Sequence, residues 1–162
     1  MAESTDGALH VLQAPRYDEG YEHLGQREER TVDDKGRVIL PAGAWRDVFA
    51  DGARLTLFRG CLALWTLRSY GAFVAELHAD QRQGKNPPGT VEAFRAETRH
   101  ISLDGQGRLT LPAELRELVG IGGHGSTVSI EGQGDRLEFR PADRPGRMSA
   151  ADLLGELEHI DY

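Results

Sequence analysis

Apolar residues fall into short runs between clusters of Gly, Asp, Asn and Pro, a pattern that predicts brief strands joined by turns, with few helices. From about Gln26 a strand leads to a turn over Asp33–Gly36, a strand Arg37–Leu40, and a short helix started by Pro41 and running to about Phe49. Arg54–Phe58 and Cys61–Trp65 read as strands joined at Arg59-Gly60, a hairpin signal. Phe73, Val74 and Leu77 predict an amphipathic helix over Leu67–Gln83. The run Gln83-Gly84-Lys85-Asn86-Pro87-Pro88-Gly89 is the clearest linker, and a short helix from about Thr90 to Glu97 follows it.

The order then recurs. Strand Thr98–Leu103, a turn, strand Arg108–Leu111 and a helix from Pro112 to Val119 lead to Gly120 and a glycine-rich loop. Strands Ser126–Glu131 and Arg136–Arg140 flank Gly132-Gln133-Gly134-Asp135, a second hairpin. A last helix is expected over Ser149–Ile160, where Leu153, Leu157 and Ile160 keep helical spacing and Ser149 and Asp152 resemble a capping box. Residues 1–24 show no sustained periodicity and are expected to be poorly ordered.

At one phrase the recurrence is literal. Val32-Asp33-Asp34-Lys35-Gly36-Arg37-Val38-Ile39-Leu40-Pro41-Ala42 returns, 71 residues on, as Leu103-Asp104-Gly105-Gln106-Gly107-Arg108-Leu109-Thr110-Leu111-Pro112-Ala113. Asp, Gly, Arg, Leu, Pro and Ala are identical, and differing apolar positions stay apolar except Ile39 opposite Thr110. Two equivalent halves follow, each too short to bury its own apolar face, so the copies are expected to complete each other in one barrel.

Composition narrows the class. A 39% hydrophobic and 28% charged chain of 162 residues suits one ordinary globular domain or two small intertwined ones. No apolar run approaches the ~20 residues that cross a bilayer. The start, Met1-Ala2-Glu3-Ser4-Thr5-Asp6, lacks the basic and apolar stretches of a signal peptide, and Cys61 is the single cysteine, so a cytoplasmic location is expected. The net charge of −7 sits in the tails: residues 1–25 carry one Arg against five carboxylates, and residues 141–162 two against five. The core is therefore neutral overall and free to carry a basic face.

The repeated turn carries the candidate chemistry. Gly36 supplies a backbone geometry that other residues resist, and Asp33 can cap turn amides and pair with Arg37. An oriented guanidinium suits bidentate contact with a phosphate or a guanine edge, and Lys35 adds a point charge beside it. The plain alternative is a hairpin turn with a surface ion pair worth ~1 kcal/mol or less. Two copies, each followed by a strand and Leu-Pro-Ala, favour a shared fold motif over that alternative, though not by themselves a shared ligand.

The doubled Asp-x-x-Gly-Arg turn with its Leu-Pro-Ala resembles the MraZ family of bacterial transcriptional regulators, and the likeness spans roughly residues 23–143. The resemblance implies an α+β fold: a tandem-duplicated swapped-hairpin (double-psi-like, AbrB-type) β-barrel with short flanking helices. It divides the chain into an acidic extension (1–24), a first AbrB-like repeat with its following helix (25–85), a linker and short helix (86–97), a second repeat (98–141) and an acidic helical tail (142–162). It further implies a repressor bound to double-stranded DNA as a nucleoid-associated, ring-like homo-oligomer. The implied targets are repeated promoter boxes of a cell-division and cell-wall type operon. The implied contacts are Asp33, Lys35, Gly36 and Arg37, and Asp104, Gly107 and Arg108; Arg46 joins them as a nearby cation.

Three departures mark this chain. The first repeat carries one extra residue, so that Pro41-Ala42-Gly43-Ala44-Trp45-Arg46 aligns with Pro112-Ala113-Glu114-Leu115-Arg116. Gln106 replaces Lys35, and the N-terminal extension is longer than is usual in the family. More cations surround the first turn, which is therefore expected to dominate binding. No enzyme signature, cofactor or metal is expected. Gly84-Lys85-Asn86 lacks the rest of a P-loop, and His78, His100 and His124 have no partner at ligand spacing. Cys61, Trp45 and Trp65 read as core residues. The rival reading is an interaction module of the same fold, such as an antitoxin with an acidic partner-binding tail.

Overall fold

The computed structural model describes residues 27–143, and both the N-terminal extension and the helix expected over Ser149–Ile160 lie outside them. In chain order the elements are β1 (Arg27–Thr31), β2 (Arg37–Ile39), α1 (Ala44–Val48), β3 (Ala53–Phe58), β4 (Cys61–Thr66) and α2 (Leu67–Arg82). Then come α3 (Thr90–Ala96), β5 (Arg99–Ile101), β6 (Arg108–Thr110), α4 (Ala113–Val119), β7 (Thr127–Gly132) and β8 (Arg136–Pro141). The fold is α+β, built on antiparallel strands with few helices, as expected.

Six strands form one sheet in the order β1-β7-β8-β4-β3-β5, and β2 and β6 form a separate two-stranded ribbon. Exchanging each strand with its counterpart in the other repeat reverses the sheet order and leaves the pairings intact. An approximate twofold axis therefore passes between β4 and β8 and between β2 and β6. Each repeat's first strand joins the other repeat's hairpin: β1 pairs with β7, and β5 with β3.

Local chemistry explains the hairpins. Arg59 and Gly60 both take positive φ, 50° and 81°, as a two-residue turn matched to strand twist requires. The helix α2 is capped by Thr66, whose hydroxyl accepts from the Ser69 amide while the Ser69 hydroxyl accepts from the Thr66 amide. In the first repeat Pro41 does not start the helix: the extra residue moves the N-cap to Gly43 (φ 99°), and α1 begins only at Ala44. In the second repeat Pro112 itself is the N-cap of α4.

Two clusters hold the layers. The larger lies between one face of the sheet, the ribbon and the helices α1 and α4, with Val38, Leu40, Leu109 and Leu111 packed on Leu64, Phe139, Trp45 and Leu115. Each such side chain, fully buried, contributes ~1.5–3 kcal/mol. The smaller seats Phe58, Ala63 and Trp65 against Tyr70, Phe73 and Phe94 of α2 and α3. Trp65 stacks on Phe73 at 4.8 Å, and its indole N–H donates to Thr56 Oγ1 at 2.9 Å. Cys61 is buried, and that burial pushes its thiol pKa up to about 12, so it behaves as a small apolar residue.

A buried charge network lies on β8. Glu138, only 2% exposed, accepts from Arg136 Nε and Arg140 Nη1, both at 2.8 Å.

Candidate nucleic-acid interface

The two turns are built alike, bond for bond. Asp33 Oδ1 accepts the amides of Lys35 (2.9 Å) and Arg37 (2.8 Å), and its Oδ2 accepts Arg37 Nε at 2.8 Å. Asp104 does the same for Gln106 (2.9 Å), Arg108 (2.9 Å) and Arg108 Nε (2.7 Å). The Asp33 and Asp104 amides return to the carbonyls of Arg37 and Arg108, each at 2.9 Å. Gly36 and Gly107 sit at φ 76° and 77°, where a β-carbon is strained, which is why both turns carry glycine.

These bonds set the charge states. The Arg37 amide, ahead of the Lys35 amide and the Arg37 guanidinium, lowers the Asp33 pKa against an opposing desolvation effect. The Arg108 amide and guanidinium, with the Gln106 amide, bring Asp104 down to about 2. Both carboxylates are thus ionised at neutral pH and hold each arginine by Nε. The Nη groups of Arg37 and Arg108 make no further hydrogen bond among the described residues and remain available to a planar acceptor pair.

The ribbon places the two arginines together. In its antiparallel register Arg37 faces Thr110, Val38 faces Leu109, and Ile39 faces Arg108. Side chains alternate, so buried Val38 and Leu109 point inward while Arg37, Ile39, Arg108 and Thr110 share the outer face. Arg37 and Arg108 are diagonal neighbours, a relation that spans about 7–8 Å across such a pair. Ile39 is 41% exposed, so the one repeat position where an apolar residue faces a polar one lies on the outer face.

Lys35 and Gln106 are exposed at the turn apices. Arg46 stands apart from the other candidates. It is partly buried, its Nη2 donates to Leu40 O at 3.2 Å, and its Nε lies against Gly107 of the other repeat. Its counterpart Arg116, not among the candidates, donates Nε–H to Leu111 O at 2.9 Å and lies against Gly36. Leu40 and Leu111 are equivalent, which supports the one-residue offset between Arg46 and Arg116. That recurrence of an arginine shortly after each Leu-Pro-Ala was the available signal for Arg116.

The transcriptional regulator MraZ of Deinococcus radiodurans is 33% identical over 110 residues, covering 67% of this chain and 75% of that protein. The chain belongs to the MraZ family. The MraZ regulators of Arthrobacter sp. (strain FB24) and Paenarthrobacter aurescens are each 31% identical, over 119 and 123 residues. Those matches cover 72% and 74% of this chain, and 79% and 81% of the two proteins. A family model described as "MraZ protein, putative antitoxin-like" matches residues 94–150, the part that contains the second turn. Among the described residues no group of three or more His, Cys, Asp or Glu is placed to hold a metal, and no helix is long and apolar enough to cross a membrane.

Proposed function

We propose that the chain is a sequence-specific DNA-binding transcriptional regulator, a repressor of the MraZ type, that reads DNA with the outer face of the β2–β6 ribbon. The observation that carries this reading is the pair of matched turns holding Arg37 and Arg108 on one exposed face. A two-stranded ribbon fits the major groove, where an arginine can bond guanine O6 and N7 at once. Fixing Nε to a carboxylate before binding lowers the ordering cost of each contact. Ile39 offers an apolar contact to a thymine methyl, and Lys35 and Gln106 flank the groove walls.

The fold and assembly belong to the same proposal. The exchanged strand pairings support an AbrB-type swapped-hairpin barrel, with repeats at 25–85 and 98–141. A ring-like homo-oligomer would set several ribbons on successive promoter boxes, and avidity would offset a weak single contact. Such a protein would act in the cytoplasm, on the nucleoid, at a cell-division and cell-wall type operon. Lys35 against Gln106 supports stronger binding by the first turn.

The rival reading, an antitoxin-like interaction module, is favoured by the wording of the family model's description and by the acidic ends. A gel-shift titration on the DNA upstream of the chain's own gene, beside a pull-down from its own cells, separates the two. A selective shift supports the regulator. No shift, with stoichiometric recovery of a small basic protein, supports the rival.

A further inference from the structure

We infer that Arg46 and Arg116 are positioning residues, each bracing the arginine turn of the opposite repeat, so that the two turns form one coupled recognition surface. The consequence for binding rests on the DNA-binding reading; the bracing itself does not.

The geometry crosses the twofold axis. Arg116 Nη2 lies 3.3 Å from the place a β-carbon on Gly36 would occupy, and Arg46 Nε lies 2.6 Å from the same place on Gly107. Each guanidinium also holds a carbonyl in its own repeat: Arg116 Nε–H donates to Leu111 O at 2.9 Å, and Arg46 Nη2–H to Leu40 O at 3.2 Å. Those two residues are the ones bonded to the opposite turns. The Leu111 amide donates to Gly36 O and the Leu40 amide to Gly107 O, each at 2.9 Å.

Each arginine thus touches a turn and also fixes the residue to which that turn is bonded. The glycine in each turn has no side chain to pack, and a flat guanidinium fills the space while keeping its charge beside the turn. The braces are unequal. Arg116 adds a bond from Nη1–H to Gly122 O at 2.8 Å, whereas Arg46 Nε is buried and has no hydrogen-bond partner among the described residues. The first turn is therefore the better held.

Amide hydrogen exchange on the full chain tests this directly. Arg116→Met should speed exchange at the Asp33, Gly36 and Arg37 amides roughly tenfold, the scale of one or two lost hydrogen bonds, and leave Asp104, Gly107 and Arg108 near wild type. Arg46→Met should do the reverse, by less. Arg116→Lys and Arg46→Lys, which keep the charge but not the fork, should repeat the pattern at smaller amplitude should the methionine variants fail to fold. Faster exchange in the variant's own turn, in both turns equally, or in neither overturns the inference. On DNA upstream of the gene, Arg116→Lys should lose affinity severalfold; retained affinity would make Arg116 a charge contact and overturn its positioning role. If wild type binds no DNA, the DNA-binding reading fails while the exchange result still decides the brace.

Discussion

Replacing Gly107 by alanine separates two costs that the structure makes unequal in the two repeats. Gly107 and Gly36 share nearly the same φ, 77° and 76°, so an added β-carbon carries the same backbone strain at either site, about 1–2 kcal/mol. The surroundings differ. At Gly107 the new carbon would stand 2.6 Å from Arg46 Nε and 2.8 Å from its Cζ, closer than nonbonded atoms allow, so Arg46 must leave. Its departure removes the hydrogen bond to Leu40 O, about 0.5–1.5 kcal/mol. At Gly36 the nearest atom is Arg116 Nη2 at 3.3 Å, which can yield by a small rotation. Gly107→Ala should therefore cost about 2–3 kcal/mol and Gly36→Ala about 1–2. Urea unfolding of both variants measures the difference, and an Arg46→Met background should remove the excess at Gly107. Equal losses at the two glycines, or an excess that survives Arg46→Met, would refute the reasoning.

Three further outcomes follow from the same geometry. Because Asp104 is lowered to about 2 in the fold, against an ordinary value near 3.9, its turn bonds stabilise fully above pH ~4 and are lost as the pH falls through 2. The Tm gap between wild type and Asp104→Asn should therefore hold from pH 7 to 5 and close towards pH 2; a gap that widens in acid contradicts this. Removing Glu138 takes away the carboxylate shared by two arginines that are 12% and 13% exposed and leaves Arg136 only its Asp135 pair, so Glu138→Ala should cost about 3–5 kcal/mol in urea unfolding, and a neutral result would show that the network is not buried in solution. Cys61, buried with its thiol raised to about 12, should resist a thiol reagent at pH 8 until denaturant is added; rapid native labelling contradicts the packing.

Local features of the fold were legible and distant ones were not. The Arg59-Gly60 turn, the helix from Leu67 and the matched Asp-x-x-Gly-Arg turns depend on residues a few positions apart, where spacing and turn chemistry are decisive. How the hairpins join one another depends on partners some forty-five to a hundred residues away, as in Leu55 opposite Arg99 and Arg27 opposite Glu131, and no periodicity encodes that. The expected strand Thr98–Leu103 shrinks to Arg99–Ile101 because only those residues meet β3. Pro41 misled for a local reason: the inserted residue next to Gly43 shifts the helix start, an effect hidden until the repeats are superposed. Of the proposed contacts, the aspartate–arginine pairs follow from the turn itself. Arg46 reads from the sequence as one more nearby cation, yet its guanidinium is committed to Leu40 O and lies against Gly107, an arrangement that needs the other repeat in place.

The measurement that bears most directly on the recognition ribbon is fluorescence anisotropy with DNA from upstream of the gene, and random DNA as control, across a salt series. Wild type should bind the upstream DNA selectively, with log K falling linearly against log salt. Arg37→Ala should abolish selectivity, and Arg108→Ala should weaken binding less. Each loss of a phosphate contact would flatten the slope by about 0.9. Selective binding unaltered in the Arg37→Ala, Arg108→Ala double variant would contradict the account, as would equal affinity of wild type for both DNAs.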